Sequence, residues 1–280
     1  MTNAVRNGLR RGWIEYTATM RSVPDVINYF IVAAFFLVVL YLNRNNTVAG
    51  TSLTLATLAL PGLLGMLAVY TGMVSAGYAL SAEREDGTLL RAKAVPDGMI
   101  GYITGHILRV TLETATMLVA MLVPALLVID GLFGAGLAGG LNLLWVFPLG
   151  LLATLPIGMV IGSLMKSPRA IAGWGLLAVG ALTFISGVFT PISGNPAWLQ
   201  GVAQLFPVYW LGLGMRSALL PDAAAAVEIT ESWRTLETIA VLGTWAVVGL
   251  VLAPVVLRRM ARRESGSAVD ERRQKVLHRL

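Results

Sequence analysis

Apolar residues in this chain gather in long runs, without the period-two alternation of a half-buried strand and without the three-to-four spacing of a helix that faces water on one side. Six runs approach or exceed the length of a membrane span: 26–42, 53–80, 102–129, 141–165, 170–190 and 236–257. A helix rising 1.5 Å per residue needs about 20 mostly apolar residues to cross a hydrocarbon core of about 30 Å, and only a helix satisfies its own backbone there. The first run is short but extends through uncharged Tyr41 and Leu42. The second and third exceed about 25 residues, which predicts tilt, a kink at Pro61 and an extension of the third helix beyond the bilayer. The pattern predicts an all-α membrane protein of six transmembrane helices filling residues 26–257.

The four longest segments outside the runs each carry a signal. Residues 1–25 carry Leu9, Trp13, Tyr16, Thr17 and Met20 at helical spacing, with arginines over much of the rest. This predicts a basic amphipathic helix lying in the cytoplasmic interface; a plain cytoplasmic arm is the alternative. Residues 81–99 hold four acids and three bases in a chain that otherwise avoids charge, ending in the breakers Pro96 and Gly98. Residues 191–235 carry too little charge for an ordinary solvated loop. Their two apolar stretches, Trp198 to Phe206 and Tyr209 to Leu220, are each too short to cross, which predicts two re-entrant or interfacial helices. The tail 258–280 is basic, suited either to anionic lipid heads or to solvated disorder.

Composition then narrows the class. Of 280 residues 56% are apolar and 13% charged, and mean hydropathy is +0.73, far from the balance of a soluble enzyme. With no cysteine and only His106 and His278, thiol chemistry, disulfides and histidine-rich metal cages are excluded. The Lys and Arg side chains divide unevenly among the loops. Four lie in the N-terminal arm, four in 81–110, two in 166–169 and eight in the tail, 18 against the 3 at Arg44, Arg216 and Arg234 in the alternate loops. Basic residues are retained on the cytoplasmic side, so both termini are predicted to be cytoplasmic, and the net charge of +6 reads as a topology signal, with no nucleic-acid partner. No cleavable signal peptide is expected, since the first apolar run starts after residue 25 and lacks a small-residue cleavage site.

Two features inside the spans invite a role. His106, Arg109 and Glu113 share one face at the start of the third span, where a cargo contact or proton relay competes with a simple i, i+4 pair between Arg109 and Glu113. Gly173, Gly180 and Gly187 recur every seven residues in the fifth span and Gly158 and Gly162 in the fourth, permitting close backbone approach within one subunit or between two. Aromatics and methionines such as Phe35, Phe36, Met66, Tyr70, Met73 and Phe184 either line a cargo cavity or face lipid or the packed interior.

The segment Glu83-Arg84-Glu85-Asp86-Gly87-Thr88-Leu89-Leu90, closing on Ala94-Val95-Pro96 between the second and third spans, resembles the coupling segment of type-2 ABC exporter permeases. Phe189-Thr190-Pro191, Pro196-Ala197-Trp198-Leu199-Gln200 and Phe206-Pro207 resemble the outer segment that this family carries before its last span. The chain is most similar to the permeases of daunorubicin and multidrug resistance exporters. That resemblance implies an antibiotic or drug efflux permease of the bacterial cell membrane, with Glu83 to Leu89 docking two cytoplasmic ABC ATPase subunits that bind ATP and Mg. It also implies a dimer with a second permease, with Gly173, Gly180, Phe184 and Gly187 at the interface beside the cargo path.

The chemistry of the coupling segment can also be read from its residues. The chain has no Gly-Lys dipeptide and so no phosphate-cradling P-loop, and ATP hydrolysis must come from another subunit. A short charged helix suits a groove on such a partner, with Glu83 and Glu85 offered to basic groups and Leu89 as an apolar anchor. The alternative is a solvated turn with local salt bridges. Export of a lipid-linked glycan or polymer, or a non-transport membrane scaffold, are the competing functions.

Overall fold

The computed structural model describes residues 2–48, 53–129, 131–132, 134, 136–165, 167–189 and 191–263, and the tail beyond residue 263 lies outside them. The described chain is helical, with one isolated bridge between Thr47 and Thr54 closing the turn after the first span. Its helices are α1 (Thr2–Arg21), α2 (Val23–Leu42), α3 (Leu55–Val69), α4 (Ala76–Glu85), α5 (Thr88–Lys93), α6 (Gly98–Val128), α7 (Gly136–Leu164), α8 (Pro168–Ile185), α9 (Ala197–Gln204), α10 (Pro207–Leu219) and α11 (Thr235–Arg263). Six of these stretches are long and apolar enough to cross a membrane, and each falls on one of the six runs: Val23–Leu42, Leu55–Glu85, Gly98–Val128, Gly136–Leu164, Pro168–Ile185 and Thr235–Leu257.

The helix starts follow from local chemistry. Thr54 accepts the Thr57 amide at 3.2 Å and Ser167 the Ala170 amide at 3.3 Å, each side chain satisfying an amide that the first helical turn leaves unpaired. Pro24, Pro168 and Pro207 sit at the first or second position of their helices, where a missing N–H costs nothing. α3 continues as helix through Pro61, whose missing N–H drops one bond of the ladder, and a π turn, Tyr70–Ser75, joins α3 to α4.

Glycine explains why the turn is tolerated there. Gly158 of α7 lies against the carbonyls of Gly72 and Met73 in the π turn, and a methyl group on Gly77 would stand 2.7 Å from the Gly158 oxygen. The small pair Gly158 and Gly162 therefore packs the fourth span against the second within one chain. Four-fifths of the α3–α4 span window is buried, so this span is the axis of the bundle. The faces of α2, α8 and α11 are largely exposed.

The segment 191–235 forms two short α-helices with different surroundings. α9 forms as a short helix with exposed Trp198 and Leu205, but α10 is buried along its whole length, packed between α3 and α7. Gly65 and Gly212 allow the α3 and α10 backbones to touch, so α10 belongs to the protein core. The N-terminal helix also has a specific seat. Gly8 and Gly12 of α1 meet Gly101 and Gly105 of α6 so closely that a methyl on Gly105 would stand 2.8 Å from the Gly8 oxygen.

Candidate functional site

The charged segment forms at one end of the bundle, where α4 ends, α5 makes little more than a turn, and α6 begins. Gly87 takes φ +82°, a left-handed conformation open to glycine, and lets the chain reverse. Across that turn the Thr88 amide donates to Asp86 Oδ1 at 2.8 Å, and Arg91 donates to the Thr88 hydroxyl at 3.0 Å. At the far side Asp97 adopts φ +53°, and a methyl on Gly98 would run into the Ala92 carbonyl.

Of the residues the sequence assigned to a partner, three are engaged by other helices of the bundle. Glu83, 14% exposed, lies between two arginines, 3.7 Å from Arg109 of α6 and 3.8 Å from Arg11 of α1. Arg84 is buried at the end of α7, donating to the carbonyls of Ser163 at 3.1 Å and Met165 at 3.0 Å. Leu89, 1% exposed, joins Leu80, Tyr102, Met159, Ala253 and Leu257 in a small apolar cluster. The expectation that Glu83 and Leu89 point outward is thus corrected. Successive helical residues point about 100° apart, so Glu83 and Arg84 meet α6 and α7 while Glu85 is left partly exposed. Among the described side chains, the outward face includes Glu85, Asp86, Arg91, Ala94, Val95, Pro96 and Asp97.

Glu83 belongs to a wider network. Arg109 also reaches Glu15 of α1 at 3.8 Å and Glu113 at 4.0 Å, the i, i+4 pair of the sequence. Arg11 donates to Glu15 at 2.6 Å, and Thr19 donates to Glu113 at 3.3 Å. Burial alone would lower the Arg11 pKa, but its hydrogen bond to Glu15 and the charges of Glu15 and Glu83 outweigh it and hold the group above its ordinary value. His106 is buried and stacks on Tyr102 with ring centres 6.0 Å apart.

The glycine stripe of α8 divides. Gly173 and Gly180 face open space, with no atom within 4 Å of where a side chain would begin, and Phe184 beside them is 75% exposed. Gly187 has left the helix: its φ of +74° makes the turn after α8, and a methyl there would meet Ile192 at 2.9 Å. It is a turn glycine facing its own chain.

Two features escaped the sequence. One is the glycine crossing of α1 and α6. The other is a buried clamp on the outer segment, where Arg216 of α10, 1% exposed, pairs with Glu228 at 2.5 Å and 3.3 Å and approaches the Gly187 carbonyl at 3.4 Å. A lone arginine inside the apolar stretch from Tyr209 to Leu220 was the available signal, since such a charge needs a partner. Among the described residues no cluster of three or more His, Asp or Glu side chains is placed to hold a metal ion.

With this geometry in place, comparison with known proteins gives a family. The family model described as ABC-2 type transporter matches residues 4–220, from α1 through α10. No curated protein matches the chain.

Proposed function

The chain belongs to the ABC-2 type transporter family, a multi-pass membrane permease component, and from that premise we propose that it exports an apolar or amphipathic, drug-like compound with energy from a separate ATPase. The observation that carries this reading is the segment between the second and third spans. Its inner residues brace it to the bundle, and its outer residues present acids beside an exposed Val95-Pro96 edge. Two cytoplasmic ABC ATPase subunits would dock there, supplying ATP and Mg, with both termini on the same side of a bacterial cell membrane. A second permease copy or sister permease would seat on the α8 face that holds Gly173, Gly180 and Phe184, closing a cargo path between subunits. Binding of ATP and opening of that path would then be reciprocally linked.

The test is co-purification and transport with the ATPase subunit. Glu85→Ala with Asp86→Asn, which keeps a side-chain oxygen to accept the Thr88 amide, should leave expression and thermal unfolding unchanged, while removal of charged groups from a docked interface weakens ATPase association by about 2 to 5 kcal/mol. Vesicle uptake of an amphipathic aromatic cation against a lipid-linked glycan separates the drug-like cargo from the polymer alternative. Undiminished association and transport in the double variant would overturn the docking face.

A further inference from the structure

A helix that ends inside a protein leaves carbonyl oxygens in need of donors, and α7 meets this need with a side chain from a different span. Arg84 lies 79 and 81 positions before its acceptors, the carbonyls of Ser163 and Met165, and reaches each with a separate terminal nitrogen. A planar guanidinium can bridge two acceptors in this way, which a lysine ammonium does with far less geometric control. The positive charge also sits at the negative end of the α7 dipole. The same guanidinium stands 3.9 Å from the Met260 sulfur of α11.

The surroundings make this contact stiff. Behind Arg84, α4 is pressed onto α7 through Gly77, Gly158 and Gly162, without side chains between the backbones. In front of it, Leu89 of α5 packs with Met159 of α7 and with Ala253 and Leu257 of α11. The charged segment joins the second and third spans in sequence, and its buried contacts reach the fourth and sixth as well.

We infer that Arg84 is a positioning residue that ties the segment 81–99 to the ends of α7 and α11, so that a displacement of the segment moves the fourth and sixth spans with it. This rests on the coupling role proposed above, and it adds which spans receive the motion. Arg84 itself contacts neither the ATPase nor the cargo.

The absence of native cysteines permits a test in the permease alone and in its complex with the ATPase. Spin labels on Val95→Cys and Leu164→Cys, both exposed positions, report the distance between the segment and the end of α7. In the permease alone, Arg84→Ala should broaden that distribution, with Arg84→Lys intermediate; Arg84→Lys serves as the deciding variant if the alanine form fails to fold. In the complex reconstituted in vesicles, Arg84→Ala should keep ATPase association, change hydrolysis by less than about twofold and lower transport on the order of tenfold, the scale of lost hydrogen bonds to a charged group. A short bis-methanethiosulfonate link between Arg84→Cys and Ser163→Cys should restore transport, which a purely electrostatic role would not allow. An unchanged spin-label distribution overturns the brace whatever the ATPase does. Loss of ATPase association in Arg84→Ala also overturns it, by placing Arg84 in the docking face. If wild-type permease recruits no ATPase, the functional reading fails and the spin-label distances still decide the brace.

Discussion

Arg216 shows what hydropathy along a chain leaves out. It counts as one of three basic residues in the sparsely charged loops, yet it is 1% exposed and held by Glu228, 5% exposed, across twelve positions. The spacing follows no helical period, because a turn and a short 3-10 stretch, Asp222–Val227, separate the partners, and no pattern in the sequence pairs them. The pair fastens α10 to the turn at Gly187, so the outer segment folds as one piece. Removing one partner leaves a buried charge alone, and Arg216→Ala or Glu228→Ala should each lower stability by about 3 to 5 kcal/mol, read by thermal unfolding in detergent. Replacing both with apolar residues of similar size should recover most of that loss, and a double variant as unstable as the singles would argue against the ion pair as the cause. Glu83 was the opposite case: the sequence marked it as functional, but its direction depended on Arg11 and Arg109, which lie far away in the chain.

At the scale of elements, span number and approximate limits were legible, because hydrocarbon thickness sets helix length directly. The fate of short apolar helices was not. Trp198 to Phe206 and Tyr209 to Leu220 read alike, but Gly212 and Gly214 give α10 a face that α3 and α7 can approach, and α9 has no such seat. The same distinction applies to the glycines singled out in the sequence. Adding a side chain at Gly12 would strike the Gly105 carbonyl, whereas at Gly180 it would meet nothing within 4 Å. Gly12→Leu should therefore detach α1, measured as faster proteolysis at Arg10 and Arg11 and a lower unfolding temperature. Gly180→Leu should leave the unfolding of the single chain unchanged. Equal destabilisation by the two variants would mean that the α1–α6 crossing contributes nothing beyond ordinary packing.

For the whole molecule, the proposed second subunit would have to claim part of an exposed apolar surface that otherwise meets lipid, and α2 and α8 offer the contrast. α2 exposes mostly bulky apolar side chains, among them Phe30, Ile31, Phe35 and Val38. Acyl chains cover such a surface as well as protein does, since apolar burial gives no net drive between helices in lipid. α8 exposes Leu177 and Phe184 around the open sites of Gly173 and Gly180, all on one helical face, where a second backbone can come close enough to gain contacts that flexible tails cannot match. Because the chain has no cysteine, a single introduced thiol reports its own neighbour. A cysteine at Phe184 should crosslink to its counterpart in native membranes if two copies pair, or to a cysteine in the matching helix of a sister permease if the pair is mixed. A cysteine at Phe35 should give neither product. Gly180→Leu should suppress the Phe184 crosslink while leaving the monomer folded, which separates lost pairing from lost structure. A crosslink at Phe35 with none at Phe184 would move the interface to the first span and leave α8 to the lipid.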